Sequence, residues 1–213
     1  GAANVLSKLE DYLQTEWPGL DVYLTSVTDH YSTASICGPN SKKILKKIFP
    51  DKDFSDDAFP HMSYQNGKID EINCRIMRIS FTGELSYEIN IESKYGKSLW
   101  EKCIEAGKEF KITPYGTETM HLLRAEKGFI IVGQDTDGTM TPIDLQMDWI
   151  VSKKKYDFIG KRSLYRSDTI REDRKQLVGL LTDDPNEILE EGAQIVSDTV
   201  SYTHLTLPTI LSV

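Results

Sequence analysis

The stretch CRIMRISFTGELSYEINIE, residues 74–92, decides the fold class. Residues 74–81 form an apolar run broken only by arginine and serine. Thr82-Gly83-Glu84 then carries turn chemistry. Residues 86–92 alternate, with Tyr87, Ile89 and Ile91 on one face and Glu88, Asn90 and Glu92 on the other. Successive side chains of a strand point to opposite faces, so this is a half-buried antiparallel hairpin with Glu84 at its tip.

The pattern on either side is helical. Residues 95–110 read as a helix after the hairpin. Thr113-Pro114 reads as the next helix start, with Met120, Leu122 and Leu123 turned to a core and Gly128 ending it. Upstream, Val5, Leu6, Leu9, Tyr12 and Leu13 recur at helical spacing over residues 2–16, and Pro18-Gly19 stops them. Residues 21–27 and 33–37 read as strands. Asn40 is an N-cap candidate for a lysine-faced helix over residues 41–48, and residues 50–60 read as acidic loop. Helices alternating with antiparallel strands, and no G-x-G-x-x-G, point to an α+β fold with ferredoxin-like units rather than a doubly wound sheet.

Composition narrows the function. The chain has 213 residues, 39% hydrophobic and 27% charged, enough to bury a core without disulfides or metal. A net charge of −8 argues against general nucleic-acid binding, which needs a basic face. No apolar run approaches the roughly 18 residues of a spanning helix and no signal peptide is visible, so a cytoplasmic location is expected, with no membrane partner. Cys37, Cys74 and Cys103 are widely spaced with no CxxC, which suggests thiols in a reducing compartment. The four histidines form no metal-binding pair, so no metal site is expected.

A second stretch carries the chemistry: LRAEKGFIIVGQDTDGTMTPIDLQMDWIVSKKKYDFIGKRSL, residues 123–164. It reads as a helix end, a short apolar strand near residues 129–132, and a loop too polar for a core. Arg124 interrupts a helical apolar stripe and must be paired or near solvent; Glu118 and Glu126 are local partners for it. Gln134, Asp135, Asp137 and Thr139 crowd the loop. D-x-D-G is reminiscent of calcium loops, but the remaining frame is absent, and turn structuring is preferred, with one residue facing a pocket. Trp149 is expected to pack a pocket wall. Lys153, Lys154 and Lys155 read as a solvated face, with a polyglutamate tail as a speculative partner. Residues 160–171 read as a charged helix, and residues 177–181 and 193–196 as strands.

RISFTGELSYEI (residues 78–89) resembles the hairpin of the aminomethyltransferase family, which includes the glycine-cleavage T-protein. The stretches 113–142 and 152–164 are similar to the sarcosine oxidase alpha-subunit branch of that family, and the similarity runs from about residue 2 to residue 196. The resemblance implies tetrahydrofolate as ligand, one-carbon (aminomethyl) transfer as activity, and other sarcosine oxidase subunits as partners. A T-protein or dimethylglycine-dehydrogenase type of enzyme, or a non-catalytic folate-binding or docking module, is the alternative. By the resemblance Glu84 is the pterin-binding glutamate and Arg124 lies near the folate. From its pattern Tyr87 fits stacking on the ligand or core packing, and Asp137 and Trp149 complete the candidate binding set. The family's catalytic aspartate lies upstream of the match, so no catalytic residue is assigned, and FAD and NAD are expected only in other parts or subunits.

The implied layout is a partial folate-binding domain over residues 1–172 and the start of a C-terminal β-barrel domain over residues 173–198. The stretch alone is then expected to be inactive and to cover bare apolar faces by self-association. Residues 199–213 carry no Asp, Glu, Lys or Arg, where the charged fraction of 27% leads one to expect about four. VSYTHLTLPT is similar to translated linker or vector DNA, so this tail is expected to be non-native.

Overall fold

The computed structural model describes residues 1–180 and 182–187, together with the backbone of the strands Gln194–Val196 and Ser201–His204. The chain divides into two compact units, Gly1–Tyr115 and Gly116–Val213. No helix among the described residues is long and apolar enough to cross a membrane.

The first unit is built on one antiparallel sheet of four strands, β1 (Tyr31–Cys37), β2 (Tyr64–Ile69), β3 (Ile72–Met77) and β4 (Ser86–Glu92), in the order β1-β4-β3-β2. The expected alternation of β4 holds: Tyr87, Ile89 and Ile91 are buried, while Glu88, Asn90 and Glu92 are not. They meet Ala34 and Ile36 of β1, Cys74 and Ile76 of β3, and the helices α2 (Ser41–Ile48) and α3 (Gly96–Gly107), which contribute Ile44, Leu45, Leu99 and Cys103. Each of the large apolar side chains contributes about 1.5–3 kcal/mol by leaving water. The α+β class read from the sequence is the class observed.

Several elements differ from their sequence reading. Strand β2 was not anticipated, because it is a polar edge strand; Asp70 and Glu71, at φ 48° and 65°, turn it into β3. The loop 50–60 is not merely acidic: Phe54 and Phe59 plug the core, their rings 6.0 and 5.6 Å from that of Tyr87. Residues 21–27 form no strand; no sheet edge receives them, and Tyr23 stands 91% exposed. Helix α1 (Ala2–Thr15) forms as expected, yet none of its residues is buried. Asn40 takes the N-cap position of α2 without a side-chain cap bond.

In the second unit, α4 (Thr117–Glu126) starts later than Thr113-Pro114 implies. The Thr113 hydroxyl turns back to the Lys111 carbonyl, and the extended Gly116 caps the helix. Residues 129–132 are not a strand: the Ile131 carbonyl accepts both Gln134 and Asp135 N–H groups, which closes a turn. Residues 160–171 hold only the 3-10 turn Lys161–Tyr165, ended by the extended Arg166. Residues 177–180 are no strand either; Leu177 N–H donates to the Asp144 carbonyl instead. Residue 181 lies outside the described residues. Strands β5 (Gln194–Val196) and β6 (Ser201–His204) pair antiparallel, the first matching the strand read over 193–196. Apart from β6, the tail assigned as non-native lies outside the described residues.

One glycine is fixed by close approach. A Cβ on Gly107 would lie 2.6 Å from the Ile112 Cβ, where the chain folds back under α3. Gly107→Ala gains about 1 kcal/mol of helix propensity but meets overpacking of about 1–3 kcal/mol. A net loss of stability in urea titration is expected.

Candidate functional site

The segment carrying Glu84 is not a tight turn. The β3–β4 ladder ends at the pair Met77 and Glu88, so residues 78–85 form an open connection. Arg78 causes the departure. Its Nη1 donates to the Phe59 carbonyl (2.6 Å) and pairs with Asp56 (2.7 Å), and its backbone bonds Met62 and Ser63. The connection is nevertheless held firmly. The buried Thr82 accepts the Glu84 N–H at its hydroxyl (3.3 Å), and Gly83 takes the left-handed conformation that this turn requires (φ 79°). The Leu85 carbonyl accepts from Gly38 N–H (2.8 Å) and from the Ser41 hydroxyl (3.2 Å). Glu84 is half-buried between these anchors.

Tyr87 belongs to the core rather than to a stacking platform: it is 0% exposed and packed between Phe54 and Phe59. Burial pushes its phenol pKa up, and its hydroxyl has no hydrogen-bond partner among the described residues. On the polar face of the sheet, Ser35 lies opposite Glu88 and Cys37 opposite Ser86. Tyr115 closes over them: the Cys37 thiol donates to its hydroxyl (3.2 Å). Burial first, and then the Cys37 contact, push the Tyr115 phenol up to about 12, while Ser35 acts the other way. Burial also raises the Glu88 carboxyl. Sequence reading missed this cluster; the i, i+2 spacing of Ser35 with Cys37 and Ser86 with Glu88 was its only trace.

In the second unit, Arg124 is 3% exposed at the last turn of α4. It pairs with neither Glu118 nor Glu126. Gly128, at φ 72°, reverses the chain so that the Phe129 carbonyl accepts from Arg124 Nη1 (3.1 Å). The Asp135 carboxylate accepts from the same Nη1 and from Ile131 N–H (2.7 Å). Arg124 Nε and Nη2 are buried and meet no acceptor among the described residues.

The other candidates play different parts. Asp137 structures its own turn, accepting from Thr139 N–H (2.7 Å) and hydroxyl (2.6 Å), bonds that hold its carboxyl below the usual range. Trp149 packs no wall: it sits on the 3-10 turn Asp148–Ile150 and is 73% exposed. Asp144, unnoticed in the sequence, is buried and accepts from Arg174 Nε (2.8 Å) and Nη2 (2.7 Å) and from Thr141 N–H (2.7 Å) and hydroxyl (2.9 Å). Arg174 also reaches Asp168 (3.0 Å) and the Thr139 carbonyl (2.7 Å). This clasp ties the loop 139–144 to the segment 168–174.

With this geometry in view, comparison with known proteins is decisive. The family model described as GCVT N-terminal domain matches residues 1–155. The chain belongs to that family. It is 58% identical, over 93% of its length, to the sarcosine oxidase subunit alpha of Corynebacterium sp. (strain P-1), and 40% identical, over 95%, to that of Rhizobium meliloti (strain 1021). The chain spans 20% of the length of each of these two relatives. The crystal structure of the glycine cleavage system aminomethyltransferase T from Bartonella henselae shares the fold, with a TM-score of 0.56 at 22% identity, over 71% of this chain and 38% of that one.

Tyr87→Phe removes an unbonded hydroxyl and leaves the ring packing, so stability in urea titration is expected to stay within about 1 kcal/mol of the parent or to rise. Arg174 first, with Thr141, holds the Asp144 carboxyl well below the usual carboxylate range. A depressed folded pKa stabilises the fold above the unfolded value, near 4, and that stability is lost as pH falls through the folded value. Asp144→Asn is therefore expected to lower Tm at neutral pH by more than the exposed Arg171→Ala does. The gap between Asp144→Asn and the parent should narrow in acid.

Proposed function

We propose that this chain is the folate-binding part of an aminomethyl-transfer module of the sarcosine oxidase alpha-subunit type. The observation that carries this reading is the 58% identity across 93% of the chain with a sarcosine oxidase subunit alpha. The chemistry of the side chains is in keeping with it. A reduced pterin presents a ring N–H and an exocyclic amine side by side, and a carboxylate matches two parallel donors with its two oxygens. Glu84, held half-buried between Thr82 and Leu85, supplies that carboxylate in the proposal. Arg124 supplies cationic donors that meet no acceptor among the described residues, in keeping with a site for a polar ligand.

In this reading bound tetrahydrofolate would supply the acceptor for the methylene group of oxidised sarcosine, giving 5,10-methylenetetrahydrofolate with glycine as the leaving amine. The residues of this chain bind and orient it, a role that by itself lowers a barrier substantially. Asp137 shapes the adjoining loop, Trp149 offers an open aromatic face, and Tyr87 supports β4 from the core. No catalytic acid or base is assigned, and flavin and nicotinamide chemistry is placed in other parts or subunits. Residues 1–172 are assigned to the folate-binding domain and residues 173–198 to the opening of a β-domain. The setting proposed is cytoplasmic, among the other subunits of the oxidase.

The test is calorimetric titration of the chain with 5-formyltetrahydrofolate. Glu84→Gln deletes a charge-assisted pair, about 1.5–3 kcal/mol, and is expected to weaken binding roughly 10- to 100-fold. Equal affinity of Glu84→Gln and parent would remove Glu84 from the site.

A further inference from the structure

We propose that Asp135 is a positioning residue for Arg124, and that the fork it fixes receives two adjacent acceptor atoms of the ligand. The inference rests on the folate reading above. A guanidinium carries five N–H donors in one plane, grouped into edges. In Arg124 one end is saturated: Nη1 serves both the Asp135 carboxylate and the Phe129 carbonyl (3.1 Å). Asp135 cannot swing away, because it also accepts the Ile131 N–H (2.7 Å) within the turn that Ile131 closes on Gln134 and Asp135. With Nη1 pinned, the plane of the group is set.

The remaining edge, Nε with Nη2, presents two parallel N–H vectors. Both atoms are buried, in a residue 3% exposed, and neither has an acceptor among the described residues. Buried cationic donors are normally satisfied, so an open two-donor edge implies an acceptor pair supplied from elsewhere. In a reduced folate such a pair is a carboxylate of the glutamate end; on the pterin the carbonyl oxygen lies beside a ring N–H donor and offers a single acceptor atom. Asp135 touches neither; it acts through Arg124.

The experiment compares Asp135→Asn, Asp135→Glu and the parent chain. Affinity for 5-formyltetrahydrofolate is measured first, then for two fragments, p-aminobenzoylglutamate and 6-methyltetrahydropterin. Asp135→Asn is expected to weaken folate binding by at least about tenfold, the scale of one lost charge-assisted contact, and Asp135→Glu to recover most of it. A merely structural aspartate would show no such recovery at matched Tm. A parallel fall for p-aminobenzoylglutamate is expected; a fall confined to 6-methyltetrahydropterin overturns the acceptor pair. Folate affinity of Asp135→Asn within twofold of the parent overturns the proposal. Should the parent bind no folate, the functional reading fails separately. The positioning claim is then decided by the Arg124 Nε–Hε resonance in 15N NMR, expected to move in Asp135→Asn; an unmoved resonance overturns it. Should Asp135→Asn not fold, Arg124→Lys keeps the charge but lacks the edge, and unchanged folate affinity there overturns the fork.

Discussion

A buried guanidinium must be answered by acceptors, and the second unit is shaped around that requirement. Removing a cation from water costs several kcal/mol even after the protein relaxes. Arg124 stands at the end of α4, where an ordinary helix would turn to solvent. Instead Gly128 reverses the chain, the Phe129 carbonyl is delivered to Nη1, and the turn at Ile131 brings Asp135 back to the same atom. The path of residues 128–135 is thus the path that returns two acceptors to one donor. A strand over residues 129–132 would have carried Asp135 away from Arg124.

The two Arg–Asp pairs of this unit, each with one buried member, differ in how many donors they leave open. Asp144 and Arg174 are saturated. Every nitrogen of Arg174 has an oxygen partner, and both Asp144 oxygens accept. Such a pair has nothing left to offer a ligand and acts as a staple between segments far apart in sequence. Arg124 Nε and Nη2 meet no acceptor among the described residues. The first unit reaches stability by another route: its buried set is a continuous apolar core, whereas the buried residues described in the second are Arg124, Ala125 and Asp144. Where apolar burial is scarce, the ion pairs fix the chain path.

Much of the first unit was legible in the sequence because its signals are local. The period-two pattern of β4 and the lysine-faced pattern of α2 each need only their own residues, and the bounds of α2 matched. What escaped was set by tertiary partners. Strand β2 is polar because it is an edge, and Phe54 and Phe59 sit in a loop whose acidic flanks hide their burial. The apolar run 129–132 and the charged run 160–171 carried the right composition for a strand and a helix, but side-chain bonds from Asp135 and Thr169 claimed the backbone first. For the site, Glu84 and Arg124 were reached through a resemblance, not through spacing. Asp135 and Arg174 could not be paired by reading along the chain, because their partners lie 11 and 30 residues away.

The position of Glu84 bears on what kind of binding group it can be. At the tip of a free hairpin its side chain would have to be ordered on binding, at about 0.5–1.5 kcal/mol for such a side chain and more for the backbone. Here the backbone is already ordered. Arg78 draws one flank down to Phe59 and Asp56, Thr82 fixes the turn, and Gly38 and Ser41 hold the Leu85 carbonyl at the mouth of α2. Further along β4, the Tyr87 ring packs with Phe54 and Phe59 in the core. Tyr87 is core although its neighbour Glu88 carries a half-buried carboxyl, because the strand that buries one face presents the other. In the proposed role, a carboxylate on so ordered a backbone spends little of its interaction energy on its own ordering.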